Sequence, residues 1–167
     1  MEVESFHKQN IYIGFWKRVL IYLIDIIILA IPSVYLYRYS YFVAIDLQSG
    51  IPLIARWVLL FIYFISFTVI FGGTPGKLIL KTRVVNKEGH NLSIFSATIR
   101  YSFLILNGFV LALIEVEKFH NSDNNFLSLI SSFTGLLLLI DATCILFNKQ
   151  KRALHDVLAR SLVIKKN

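Results

Sequence analysis

The sequence predicts an all-α membrane protein: a four-helix transmembrane bundle with a small cytoplasmic β element and an interfacial C-terminal helix. Three observations predict it. The 167 residues are 56% hydrophobic and only 16% charged, whereas soluble domains carry about 25% charged residues. Four apolar runs, about 13–37, 52–71, 99–115 and 126–147, approach or exceed the roughly 20 residues that cross a bilayer. The charged residues then alternate in sign between those runs. Lys77, Lys81, Arg83, Lys87 and Arg100 lie between or at the edges of the second and third, and Lys149, Lys151, Arg152, Arg160, Lys165 and Lys166 follow the fourth. Glu115, Glu117 and Asp123 fall between the third and fourth. Lys and Arg keep short loops cytosolic, so both termini and the segments 72–98 and 148–167 are expected in the cytosol, within a single domain over 1–167. Arg38 and Arg56, flanking the first outer connection, run against this trend.

The elements follow in order. Lys17 and Arg18 precede the first run as they would in a signal peptide, but the run is longer than a 7–15-residue h-region and contains Asp25. It is read as a retained first span. Gly72, Gly73, Pro75 and Gly76 end the second span, because helices stop at such clusters. Residues 78–85, LILKTRVV, are rich in β-branched and aliphatic types and precede the turn signal Lys87-Glu88-Gly89, so a short strand is expected. Ser93 can cap the next helix through its hydroxyl. In the fourth span Ser128, Ser131, Ser132 and Gly135 make a small-residue face of the kind that lets helices approach closely. Residues 149–160 place Leu154, Val157 and Leu158 on one face, the pattern of an interfacial helix. The closing SLVIKK reads as a strand, and since a lone strand leaves its backbone groups unpaired, 161–166 is expected to pair with part of 78–85.

Asp25 and Asp141 lie inside apolar runs. A charged side chain at membrane depth costs about 2.5–3.5 kcal/mol or more, so it marks a function or a buried partner. Arg18, Tyr22 and Asp25, spaced i, i+4 and i+7, share a stripe of one helix, and Arg100 and Asn107 repeat the i, i+7 spacing. Comparing KRVLIYLID with IRYSFLILN hints at a duplicated unit. At about 1.5 Å per residue, Asp25 lies about 15 Å deep, Asn107 about 10 Å, Asp141 about 9 Å and Arg18 about 4–5 Å. These depths allow Arg18, Asp25, Arg100, Asn107 and Asp141 to cluster as a cation or proton site. A structural role accounts for the same residues: Arg18 reaching headgroups, Asp25 bonded within the bundle, Asn107 joining helices.

Several chemistries are excluded. The net charge of +7 falls in blocks between apolar runs and not on a continuous soluble face, so no nucleic-acid partner is expected. Cys144 is the only cysteine, and His7, His90, His120 and His155 lack ligand spacing, leaving no disulfide framework or cysteine-rich metal site. GGTPGK has a glycine spacing one residue short of a P-loop and Leu78 where the Mg²⁺-binding Ser/Thr would stand. His155-Asp156 is too short to argue for a metal hydrolase. An intramembrane aspartic protease needs both carboxylates at one depth, and Asp25 and Asp141 differ by about 6 Å. No enzyme activity and no cofactor are expected.

GFWKRVLIYLIDIIILA at 14–30, TPGKLILKTRVVNKEG at 74–89 with IRY at 99–101, and KQKRALHDVLARSLVI at 149–164 together resemble the RDD family of small membrane proteins, named for one arginine and two aspartates. Arg18 and Asp25 fit the first two letters. Asp156 in ALHD is the choice for the third, with Asp141 as the alternative; Thr74, Pro75, Gly76, Lys77 and His155 complete the matching motif. The usual ending resembles LHDxxAGTxVV, and here Ala159-Arg160-Ser161 replaces AGT. The resemblance implies an integral protein of a bacterial cytoplasmic membrane with transport activity, some relatives being proposed monovalent cation/proton antiporters. The competing expectation is a non-enzymatic adaptor or regulator that binds a partner membrane protein through its spans and the edge of its strands. Self-association through the Ser/Gly face is a further expectation.

Overall fold

The computed structural model describes residues 12–122, 125–147 and 150–165; His7, Asp123, Lys149 and Lys166 lie outside the described residues. The elements in chain order are α1 (Phe15–Asp46), α2 (Ile51–Phe71), α3 (Pro75–Ile79), β1 (Thr82–Asn86), α4 (Ile94–Arg100), α5 (Ser102–Phe119), α6 (Asn125–Phe147), α7 (Leu154–Leu158) and β2 (Ser161–Lys165). α1, the stretch Ile51–Ile79 and α6 are long and apolar enough to cross a membrane, and α4 with α5 makes a fourth such unit if the bent pair is taken together. Ile27, Ile31, Leu59, Ile62, Phe133 and Leu139 point outward from these helices. So large an exposed apolar surface belongs in lipid. α1 packs on α2, α2 on α5 and α5 on α6, while a lesser contact of α6 with α1 closes the bundle.

α1 runs on to Asp46 and not to residue 37. Its 32 residues make a rod about 48 Å long, more than the roughly 30 Å of hydrocarbon. The polar stretch after Tyr37 does not stop it, because the Ser40 hydroxyl donates to the Tyr37 carbonyl (2.8 Å) and so competes for no backbone group outside the helix. α2 ends where the glycines predict: Gly72 takes a left-handed φ of 77° and donates to the Thr68 carbonyl, the usual glycine C-cap.

The expected strand over 78–85 is shorter. Thr74 is extended as N-cap and Pro75 occupies the first turn of α3, where its fixed φ favours a helix; Leu78 and Ile79 are therefore helical and β1 begins at Thr82. Pairing with the C-terminal segment is as expected, antiparallel from Thr82↔Lys165 to Asn86↔Ser161. Ile13 adds itself to the free side of β2, donating to the Val163 carbonyl at 3.1 Å. Val84 and Val163 with Ile13, Ile21, Leu92 and Ala97 form an apolar core that fastens the sheet to the ends of α1, α2 and α4. Asn86 holds the turn after β1 by accepting from the Glu88 and His90 N–H groups, and the Ser93 hydroxyl caps α4 by accepting from Ser96 N–H at 3.2 Å.

The third span, expected as one helix over 99–115, is broken. α4 and α5 meet at 63°, with Tyr101 between them. Arg100 on one side is drawn to the sheet end, and the Tyr101 hydroxyl lies 2.7 Å from Thr68 Oγ1 of α2 on the other. These tertiary bonds fix the corner. The interfacial helix expected over 149–160 is only α7, five residues long. Lys151 has a φ of 51° and its carbonyl accepts from Arg18 Nη2 at 2.6 Å, which prevents a helix from starting earlier. Leu154, Val157 and Leu158 do face outward, as the pattern requires. Arg160, in place of the family's glycine, keeps the left-handed φ of 51° that glycine adopts without steric cost.

Candidate functional site

Asp156 is the centre of the polar end of the bundle. α7 brings it under the ends of α1 and α4, where its side chain is wholly buried. Arg18 Nη1 of α1 donates to Oδ2 at 2.5 Å, and Arg100 Nη1 of α4 donates to Oδ1. Ala153 N–H reaches Oδ2 at 3.3 Å, and Ser161 Oγ, itself 2.6 Å from Arg100 Nη1, lies 3.3 Å from Oδ1. Arg18 also donates through Nε to the Ile13 carbonyl at 3.2 Å. One carboxylate thus ties α1, α4, α7 and β2 together. Burial by itself would raise the Asp156 carboxyl, but the Arg100 guanidinium, the His155 hydrogen bond and the Arg18 guanidinium outweigh it and hold the group well below the usual carboxylate range.

His155 extends the network to Asp141. Its backbone N–H donates to Asp141 Oδ1 at 2.8 Å and its Nδ1 lies 2.5 Å from Oδ2. Its Nε2 is 3.4 Å from Asp156 Oδ1. Both ring nitrogens therefore face carboxylate oxygens, Nδ1 that of Asp141 and Nε2 that of Asp156. Arg152 Nη2 closes the far side by donating to the Asp156 carbonyl at 3.1 Å.

Asp25 stands apart. It is buried, with Thr74 Oγ1 donating to Oδ2 at 2.6 Å and Gly76 N–H to Oδ1 at 2.7 Å. Among the described residues no side-chain cation lies within 4.0 Å of it. Gly76 is required there: a Cβ would sit 2.6 Å from the Ile21 carbonyl and 2.9 Å from Asp25 Oδ1. Lys77 Nζ reaches the same threonine hydroxyl, at 3.4 Å.

The five candidate residues are thus divided. Arg18, Arg100 and Asp141 converge on Asp156 and His155, whereas Asp25 and Asn107 do not join them. Asn107 instead lies 2.9 Å from Thr134 Oγ1 and joins α5 to α6. The ladder Arg18–Tyr22–Asp25 does not form, since Tyr22 faces outward. The TPGK segment is bonded by Asp25 and not by Asp156, whose own backbone partner is the nearby Ala153 N–H. The hinted repeat has one structural counterpart: Arg18 and Arg100 grip opposite oxygens of a single carboxylate. The Ser/Gly face of α6 meets no helix at Gly135, where a Cβ would have nothing within 4 Å.

A further buried charge, Arg56, figures in the sequence only as a topology signal. It donates through Nη2 to Glu115 Oε2 of α5, which also accepts from Trp57 Nε1 at 3.3 Å. The position of an arginine inside an apolar run, five residues into α2, was the signal that asked for a partner.

A bundle of apolar helices closed at one end by a two-stranded sheet and a buried two-arginine carboxylate cluster defines a polytopic integral membrane protein. Residues 12–160 match the RDD family, and the chain belongs to it. Arg18, Asp25 and Asp156, the residues that resembled the family's letters, are all buried or nearly so. No curated protein and no solved structure matches the chain.

Proposed function

We propose that this protein is a small proton-linked transporter of monovalent cations, with the sheet end in the cytosol. The observation that carries the reading is His155 set between two carboxylates at the polar end of an otherwise apolar bundle. Histidine is the side chain whose charge changes most readily near neutral pH, and here gain or loss of its proton alters the number of donors offered to Asp141 and Asp156. Asp156 is held by two guanidinium groups and serves as an anchor. Asp25, bound directly by uncharged donors and reached by Lys77 through the Thr74 hydroxyl, is the candidate cation site. The work is transport, with no covalent chemistry. Four spans make a narrow path, and the Ser128/Ser131/Ser132/Gly135 face, open at Gly135, is where a second copy or a partner membrane protein would add walls. For an adaptor that captures a strand, the sheet offers less than the sequence suggested: Val84 N–H is given to the Gly72 carbonyl at 2.6 Å and Val163 accepts from Ile13, so both edges are engaged.

Cation-driven pH change in proteoliposomes holding the purified protein tests the reading. Asp25→Asn is a clean probe of charge, because the amide oxygen can keep the Gly76 N–H and the amide nitrogen can donate to a reversed Thr74 hydroxyl. Coupled flux is expected in the wild type and its loss in folded Asp25→Asn and His155→Gln. Equal flux in wild type and variants would remove these residues from the mechanism, and absence of flux in folded, oriented wild type would favour the adaptor.

A further inference from the structure

At the other end of the bundle lies a charged pair, Arg56 and Glu115, that the proposed site does not use. Arg56 is 7% exposed and lies about 24 Å along α2 from the Gly72 cap. Its guanidinium stacks over the Tyr37 ring of α1, 4.8 Å from the centroid, and approaches Trp57 at 5.5 Å, while Nη2 holds Glu115 of α5. Its Nε, equally buried, has no partner. A buried ion pair is weak evidence for stability, since desolvation opposes the Coulombic gain, and its best-attested use is to set register or to switch. An unpartnered Nε makes this pair a still poorer stabiliser.

The surrounding elements can use such a switch. α5 is jointed to α4 at Tyr101, where the bend is 63° and the Tyr101–Thr68 contact tethers the joint to α2. Past the joint, Gly108 lets α5 lie directly on Phe61 and Trp57, where a Cβ would approach within 2.4 Å, and Ala112 is wholly buried one turn before Glu115. Beyond Tyr101, among the described residues, α5 is held against α2 by this apolar contact and by the polar bonds that Glu115 accepts from Arg56 and from Trp57 Nε1. We propose that Arg56 and Glu115 form a charged latch that keeps the end of the α2–α5 seam remote from the sheet closed, and that breaking it lets α5 swing about the Tyr101 joint. The inference rests on the transport reading, in which each end of a path opens in turn. Its test reads accessibility, which flux does not enter.

The test uses the full chain in proteoliposomes, with Cys144→Ala removing the native thiol and Ala112→Cys placing a reporter in the seam. A membrane-impermeant maleimide is added on each side in turn. With Arg56 and Glu115 intact the thiol should label slowly; in Glu115→Gln labelling should quicken at least about tenfold, as a minor open state becomes a major one. The faster reaction should occur only from the side bearing the α5–α6 connection. The exchange Arg56→Glu with Glu115→Arg should restore slow labelling. If Glu115→Gln does not fold, Arg56→Gln removes the charge from the other side of the pair, leaves Glu115 at the more exposed position of the two, and should be folded yet quickly labelled. Labelling as slow as the parent in either folded variant, equal quickening from both sides, or failure of the exchange to restore the parent rate would overturn the latch. The same labelling pattern in a protein that moves no cation would leave the latch standing and remove the transport reading.

Discussion

At the scale of single residues, Asp156 is the group on which most depends. Its buried carboxylate accepts from two guanidinium groups, so removing its charge leaves the largely buried Arg18 and Arg100 unmatched. Breaking a buried pair from one side costs about 3–5 kcal/mol. Asp156→Asn is therefore expected to lower the folded yield and the thermal unfolding temperature in detergent; normal folding with lost flux would instead make Asp156 part of the transport site. The pH dependence has a definite sign. The folded carboxyl is held below its unfolded value, so its contribution is fully present above the unfolded pKa of about 3.9 and is lost as pH falls below that toward the folded value. Unfolding followed from pH 7 down to pH 3 should show this acid loss in the wild type and a shallower one in Asp156→Asn.

At the scale of elements, the short helix α3 is docked by its backbone. Gly76 offers its N–H to Asp25 and lies so close to α1 that a Cβ would strike the Ile21 carbonyl, an atom held in the helix and unable to yield. Overpacking of this kind costs about 1–3 kcal/mol. Gly76→Ala should destabilise by that amount and loosen the tie between α1 and the α2–β1 connection; a melting temperature unchanged from wild type would show that α3 can move away. The ends of elements were legible where local chemistry decides them: the Gly72 cap, the Ser93 cap and the pairing of β1 with β2. The break at Tyr101 was not legible, because no glycine or proline stands at residues 99–103 and the corner is imposed by Asp156 and Thr68, which lie far away in the chain.

For the whole molecule, the sheet, the two-arginine cluster and most of the basic residues gather at one end. The excess of Lys and Arg there is the argument for the proposed cytosolic orientation of that end. Reporter fusions after Asn91 and after Ser122 should consequently report opposite sides of the membrane, the first cytosolic; the same side for both would require a bundle with α4 and α5 not crossing as a unit.

The sequence by itself determined the solvent of this protein, the number of apolar runs, the strand that closes the chain and the residues whose charge needed an explanation. Those properties follow from composition and from periods of a few residues, which act locally. Only the tertiary structure decided the partners. Arg18 and Asp25 share a helix face in one dimension, yet Arg18 turns toward Asp156, 138 residues away, and Asp25 toward Thr74 and Gly76. Arg56 finds Glu115 across two helices. A buried charge is satisfied by whatever opposite charge or donor the packed backbone brings within about 3 Å, and that distance is set by how the helices meet and not by how far apart the residues lie along the chain.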